Sequence, residues 1–501
     1  MNSNSRRLVL SVAALVCSVV AAGPAAAQKV TRRVGHDELL IHNVTIVSPE
    51  RSTPLTHADV LIRGNRISRI GRGLQASAAR KIDGRGRYLI PGLIDSHVHV
   101  GFPAPFDNEV ASDRPDLLQS YRAQLPRAYL AFGYTTLIDL AFDAHTRAWW
   151  DAALIRPHLL NCGPGLRVAG GYGAQHLPKN LKPEDSANLV YEPHAAADWP
   201  KQLNPDDFTP AKVVARVAKR GAICLKVYVE SGFGIFHWPV PSVATLSALH
   251  TEAKRRGMPM IVHANSVDAW REALTAKTDI IAHGLWQWDG DRTNSTPPDE
   301  ARALIQQASR QKVKDQPTLE TVYGEASVFD PTVLDDPRYS LAVPQKVISY
   351  LRSPEGVAKR RPVANRYLKN FPNAPQVISA AGRRASATLR MMQAARIRLL
   401  FGTDTPAEEG DIGNPPGLNG RMEMQHWADA GIPLSEILKA ATLDNAHAFG
   451  LKDRGTIEPG KRADLVLLSA NPLKSVSAYD EIVMTILDGR PVMRSALAPP
   501  D

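Results

Sequence analysis

The sequence predicts an α/β protein: a (β/α)8 TIM-type barrel with a small β-sandwich built from both ends of the chain. Three observations carry this. Residues 28–90 and 448–501 break into short apolar runs punctuated by Gly, Asn and Asp, a pattern of antiparallel strands. The long middle, residues 91–447, alternates apolar strand-like runs with helix-forming stretches. Eight such units over roughly 350 residues match one barrel carrying insertions.

In chain order, residues 1–27 read as a signal peptide, with Arg6 and Arg7 as the positive region, residues 8–22 as the apolar run and Ala25-Ala26-Ala27 as the cleavage site. The apolar run falls short of the about 20 residues of a transmembrane helix, so no stable membrane anchor is expected after cleavage. The expected location is therefore exported, periplasmic or secreted; Ser5-Arg6-Arg7 also fits a twin-arginine signal. The first part of the sandwich, 28–90, has candidate strands at 39–41, 44–47, 60–63 and, across the Gly64-Asn65 turn, 66–70. The barrel strands are expected at 89–94, 135–140, 158–162, 222–229, 259–262, 280–282, 313–319 and 397–402, with a helix at 243–256. The long span 324–392 is rich in helix formers and predicts helices flanking or covering the barrel mouth. Residues 448–501 complete the sandwich through 462–468, 482–487 and 491–493, the last two joined by the Asp488-Gly489 turn.

With 44% hydrophobic and 22% charged residues the chain is globular, which excludes a wholly disordered or fibrous protein. Three cysteines build no disulfide framework and have no metal-ligand spacing; once residues 1–27 are removed, Cys162 and Cys224 remain, either paired or as two buried thiols. A net charge of +10 admits nucleic acid, anionic membrane or acidic ligands. The densest basic run, Lys359-Arg360-Arg361 with Arg366 and Lys369, lacks the interleaved aromatics of single-strand binders and reads as a solvated helix face, so no nucleic-acid partner is expected.

The histidines are the chemical inventory. His97 and His99, two apart, share one face at the end of the first expected barrel strand, where barrel active sites lie. His263, His283 and Asp404 each follow an apolar strand run at the matching position. Lys226 sits inside the apolar strand 222–229, where burial lowers an ammonium pKa. A neutral amine adds carbon dioxide to give a carbamate whose two oxygens suit two cations; an ion pair with Asp404 or Glu230 is the alternative.

Pro91-Gly92-Leu93-Ile94-Asp95-Ser96-His97-Val98-His99, Lys226, His263, His283, Gly402-Thr403-Asp404 and the tail Gly455-Thr456-Ile457-Glu458-Pro459-Gly460-Lys461-Arg462-Ala463-Asp464-Leu465 together resemble the amidohydrolase superfamily. The chain is similar to its imidazolonepropionase-like and prolidase-like branch over nearly all residues after 27. The resemblance implies two divalent metal ions, usually zinc: His97, His99 and Asp404 on one, His263 and His283 on the other, with carboxylated Lys226 and a hydroxide bridging. It implies hydrolysis of a carbon–nitrogen amide-type bond by that hydroxide, with Asp404 moving the proton. Tyr228, two residues beyond Lys226 on the same strand face, would donate to the oxyanion or pack in the barrel mouth.

Two departures stand in the substrate region. Ala282 precedes His283 where many relatives have Glu, and Gly170-Gly171-Tyr172 stands where they often have Gly-Gly-His. His176 either replaces that histidine or lies on a surface loop. Tyr172, His176 and Trp286 are thus candidate substrate-binding residues; Trp286 and Trp288 would wall a pocket or simply pack, and Arg167 or Lys179 would suit a substrate carboxylate. The expected substrate is a small molecule: a dipeptide, an N-acyl amino acid or a cyclic amide. The alternatives are a mononuclear deaminase, a lactone or ester hydrolase on the same scaffold and, in another class, a non-catalytic exported binding protein. A homo-oligomer is compatible with the sequence.

Overall fold

The computed structural model describes residues 38–77, 79–102, 104–174, 181, 186–406 and 410–499. The expected signal peptide, His176 and Lys179 lie outside the described residues.

Both ends of the described chain build one sheet. Its N-terminal strands are β1 (Glu38–Ile46), β2 (Leu55–Arg63), β3 (Arg66–Gly71), β4 (Arg80–Asp83) and β5 (Tyr88–Pro91). The parallel strands β6 (Leu93–Val98), β7 (Tyr134–Asp139), β8 (His158–Asn161), β9 (Leu225–Tyr228), β10 (Met260–His263), β11 (Ile280–Ala282) and β12 (Lys314–Gln316) follow. The chain returns to the first sheet with β13 (Leu465–Leu468), β14 (Ile482–Leu487) and β15 (Arg490–Met493). The order β15-β14-β13-β5-β1-β2-β3, with β4 on β1, makes one eight-stranded sheet in place of two separately paired layers. Alternating apolar residues of these strands, among them Leu39, Ile41, Val60, Ile62, Leu465, Leu467 and Ile486, bury a core of their own.

The expected first barrel strand, 89–94, is two strands meeting at Gly92. The Gly92 N–H donates to Asp464 O at 2.8 Å, so β5 stays with β13 and β6 continues into the parallel sheet. The seven parallel strands form two sheets, β6-β7-β8 and β12-β11-β10-β9. The expected eighth strand, 397–402, is not a strand. Its stretch is extended and bonds on both sides, Leu400 N–H to Asp315 O at 2.8 Å and Ser96 N–H to Phe401 O at 3.0 Å, but each side carries a single bridge. Asp404, at φ 57°, turns the chain into the left-handed region and interrupts the pairing, which resumes only as the single bridge of Thr405 to Val98.

The period of two sorts the strand residues between two environments. Lys226, Ile261 and Ile280 are lateral neighbours on β9, β10 and β11, and the two isoleucines share a buried cluster with Cys162, Cys224 and Leu400. Val227, Val262 and Ile281 are the next row and pack with helix residues such as Leu246 and Leu249. Cys162 and Cys224 form a disulfide with Cα atoms 4.4 Å apart, which decides between the two readings of these thiols. Ser242 caps the helix Val243–Arg255 by accepting from Thr245 N–H, and Lys254 and Arg255 complement its C-terminal end. The span 324–392 is helical as expected, with Gln345–Arg352, Pro354–Asn370 and Ala374–Ala394 its longest pieces. Among the described residues no helix is long and apolar enough to cross a membrane.

Candidate metal centre

The ends of the parallel strands gather the expected ligands. His97 belongs to β6 and His99 follows it; Lys226 is within β9, His263 ends β10, His283 follows β11, and Asp404 ends the extended stretch beside β6. All six are buried. Asp95 clamps this end of the fold: its carboxylate accepts from His97 N–H and Thr403 N–H at 3.1 Å and from Thr403 Oγ1 at 2.6 Å, and Asp404 N–H donates to His97 O at 2.7 Å. Gly402 is required at this approach, since a Cβ there would stand 2.7 Å from His97 Cβ.

Asp404 is the hub. Its Oδ1 lies 3.0 Å from His97 Nε2 and 2.9 Å from His99 Nε2, and its Oδ2 lies 3.6 Å from His283 Nδ1. Lys226 Nζ is 3.3 Å from His97 Nε2, and Asp404 acts on it through its charge. The Glu230 carboxylate, the alternative partner of Lys226, faces His263 instead: Oε2 is 3.5 Å from His263 Nε2, and Oε1 accepts from Gly232 and Phe233 N–H. The His263 and His283 rings are 4.2 Å apart, and Thr318 Oγ1 is 3.0 Å from His283 Nδ1. His283, Thr318 and Asp404 all have φ between 45° and 85°, backbone that non-glycine residues seldom adopt and that concentrates at functional sites.

The electrostatics suit a cation. Burial lowers His97 to about 3, with the Lys226 charge adding to the effect, and burial likewise lowers His263 and His283. The imidazoles are therefore neutral, the form that ligates metal. Burial pushes Asp404 upward, but the charge that His97 and His283 take up when they protonate, with hydrogen bonds from His97 and His99, more than offsets it, and the carboxyl stays well below its usual range. Burial brings Lys226 down to about 7 and pushes Tyr228 up to about 12. His97 Nδ1, His99 Nδ1 and His283 Nε2 are buried with no hydrogen-bond partner among the described residues. His97, His283 and Asp404 each offer a ligand atom within 4.8 Å of the others. Ligands on a tetrahedral zinc at about 2.0–2.1 Å stand roughly 3.3 Å apart, close to the observed imidazole–carboxylate separations.

The substrate candidates divide. The Tyr172 ring lies 5.4 Å from Tyr228 and 5.3 Å from His263, beside the centre. Trp286 packs against the outer core, and Trp288 is a platform for the Arg384 guanidinium at 4.3 Å. Arg167 lies 4.9 Å from the Tyr228 ring, with its Nε buried and without a partner among the described residues. The sequence reading missed Thr318 and the Glu230 turn with Phe233 and Trp238; a carboxylate four residues after Lys226, followed by Ser-Gly-Phe-Gly, was the available signal.

Among known proteins, the family described as "Amidohydrolase family" matches residues 88–492. The chain is 40% identical over 63 residues to adenine deaminase of Deinococcus radiodurans, covering 13% of this chain and 12% of that one. It is 43% identical over 74 residues to D-hydantoinase of Geobacillus stearothermophilus, 15% of each. These matches thus span well under two thirds of the relatives' own lengths. A solved Xaa-Pro dipeptidase with bound methionine in its active site has the same fold, with a TM-score of 0.63 and 21% identity over 91% of this chain and 100% of that one.

Proposed function

The chain belongs to the amidohydrolase family, and from that premise we propose that it is a metal-dependent hydrolase of a carbon–nitrogen amide-type bond in a small molecule, a dipeptide, N-acyl amino acid or cyclic amide. The observation that carries this reading is the convergence of His97, His99 and His283 on the ionised Asp404, beside Lys226. We read the two parallel sheets and residues 397–405 as one (β/α)8 barrel, a reading supported by the hydrogen bonds on both sides of that stretch.

The residues fit two divalent ions, for which zinc is the proposed metal: His97, His99 and Asp404 would hold one, His263 and His283 the other, and a carbamate on Lys226 would join them. When bound, such ions acidify a water molecule and polarise the scissile carbonyl. The chain's own groups do the rest. With its pKa near 7, Lys226 is substantially neutral at physiological pH and able to add carbon dioxide. Asp404, held ionised, accepts the proton of the attacking water and delivers it to the leaving nitrogen. Tyr228 stays protonated and donates to the developing oxyanion. Arg167, beside Tyr228, pairs with a substrate carboxylate.

The test is elemental analysis of the full chain produced with zinc and bicarbonate, beside Lys226→Ala, followed by an amide and dipeptide screen. Close to two ions per chain, falling in the variant, is the expected result; a single ion indifferent to Lys226 would favour a deaminase. We propose further that the protein is exported, a reading supported by residues 1–27 and by a buried disulfide, which suits an oxidising compartment. Residues 1–27 fused to a periplasmic reporter should export it; retention in the cytoplasm would refute the reading.

A further inference from the structure

The loop after β9 is built with unusual care for a connection. Glu230 Oε1 accepts from Gly232 N–H at 2.7 Å and Phe233 N–H at 2.6 Å, Ile235 and Phe236 N–H donate to Gly232 O at 2.8 Å, and Trp238 N–H donates to Ser231 O at 2.9 Å. Gly232 has φ 123° and its Cβ position is filled by Phe236, so no other residue fits. Phe233 has φ 54°, a conformation that costs a bulky residue free energy. The turn is anchored through Glu230 to His263.

What this geometry holds in place is a row of rings. Phe236, 42% exposed, stacks on Trp238 with centroids 4.9 Å apart and planes within 11°. Trp238 lies 5.6 Å from Tyr172, Phe233 lies 5.7 Å from Tyr172 and 6.1 Å from Trp238, and Tyr172 reaches His263 at 5.3 Å. The row therefore runs from solvent to a histidine of the candidate metal centre. None of Tyr172, Phe233, Phe236 and Trp238 belongs to the buried core clusters or to the apolar side chains packed against them. Phe236 is exposed and Tyr172, Phe233 and Trp238 are half-buried, and a patch of such aromatic rings at the mouth of a site is a place where a ligand loses water.

Building on the hydrolase reading above, we propose that Tyr172, Phe233, Trp238 and Phe236 form the subsite for an aromatic or similarly broad apolar group on one side of the scissile bond. Offset stacking and edge contacts recognise such a group, whereas a methyl or small polar substituent leaves the rings uncovered. The substrate class narrows to amides with an aryl group or a comparable planar apolar group.

The test compares kcat/KM of the metal-loaded full chain on N-(2-naphthoyl)-L-alanine and N-acetyl-L-alanine. The expected preference for the naphthoyl amide is about tenfold or more, falling at least fivefold in Trp238→Ala. Phe236→Ala, at the exposed end of the row, should lower it at least twofold. Equal rates on the two amides in the unmodified protein, or a preference unchanged in both variants, would overturn the subsite. If neither amide is hydrolysed, the hydrolase reading is what fails, and the subsite is then decided by titrating the full chain with 2-naphthoate and with acetate. Saturable naphthoate binding, weakened at least fivefold by Trp238→Ala, supports it; no preference for naphthoate over acetate overturns it.

Discussion

At the ends of the parallel strands His97, His283 and Asp404 place three ligand atoms within 4.8 Å of one another, and at the start of β8 His158 does the same with Asp464 and Asp488. The two sets differ in the groups that stand around them. In the second, Arg462 bonds Asp488 and stands 3.4 Å from Asp464, while His158 Nε2 lies 3.2 Å from Asp464 Oδ2. Asp488 N–H takes Asp464 Oδ1 as well. A guanidinium thus supplies the positive charge that two carboxylates demand, and the cluster ties the residues before and after β13 and β14 to β8. At the other set imidazole nitrogens are buried without partners, and the histidines are held neutral. Ligand spacing alone does not separate the two; charge balance and unsatisfied lone pairs do.

The largest expected effect breaks the first set. Asp404→Asn should lose about 10²–10⁴-fold in turnover while keeping its metal, because the amide oxygen still ligates but no longer moves a proton. Near-normal turnover of the metal-replete variant would remove Asp404 from the chemistry. Next, Asp464→Asn breaks the second set. It leaves Arg462 and His158 short of a buried partner and should cost about 3 kcal/mol in denaturant unfolding, with metal content unchanged. A loss of metal there would collapse the distinction between the two clusters.

A third buried acid sharpens it. Asp315 on β12 has both carboxylate oxygens buried and unpartnered among the described residues, and burial raises its pKa well above the ordinary value, yet it belongs to neither cluster. The folded state therefore keeps a proton that the unfolded state releases near pH 4, so stability falls as pH rises from there. Urea unfolding at pH 5 and pH 8 should show a smaller decline in Asp315→Asn than in the unmodified protein, by at most about 1.4 kcal/mol per pH unit. Equal declines would mean that the carboxyl ionises freely and is not isolated.

Part of the site was legible because its residues are local: His97 and His99 share a strand face two apart, and His263, His283 and Asp404 each close an apolar run. The Glu230 turn was not legible, because a carboxylate beside Gly and Phe is ordinary until His263, from another strand, stands 3.5 Å away. Nor was the missing ladder at 397–402, where the apolar run is as strand-like as its neighbours. The turn after it rests on Asp95 and His97, some three hundred residues earlier.

The sequence by itself determined the strand-and-helix alternation, the meeting of both ends in one β unit, though as a sandwich and not as the single sheet observed, and the identity of the candidate metal ligands, since period, turn residues and strand-end position are properties of neighbouring residues. Only the tertiary structure decided that Cys162 pairs with Cys224, that Asp404 gathers the histidines while Arg462 neutralises the rival cluster, and that Tyr172 joins the aromatic loop to His263. Those outcomes depend on burial and on distances between residues remote in the chain, and both come into being only when the strands pack.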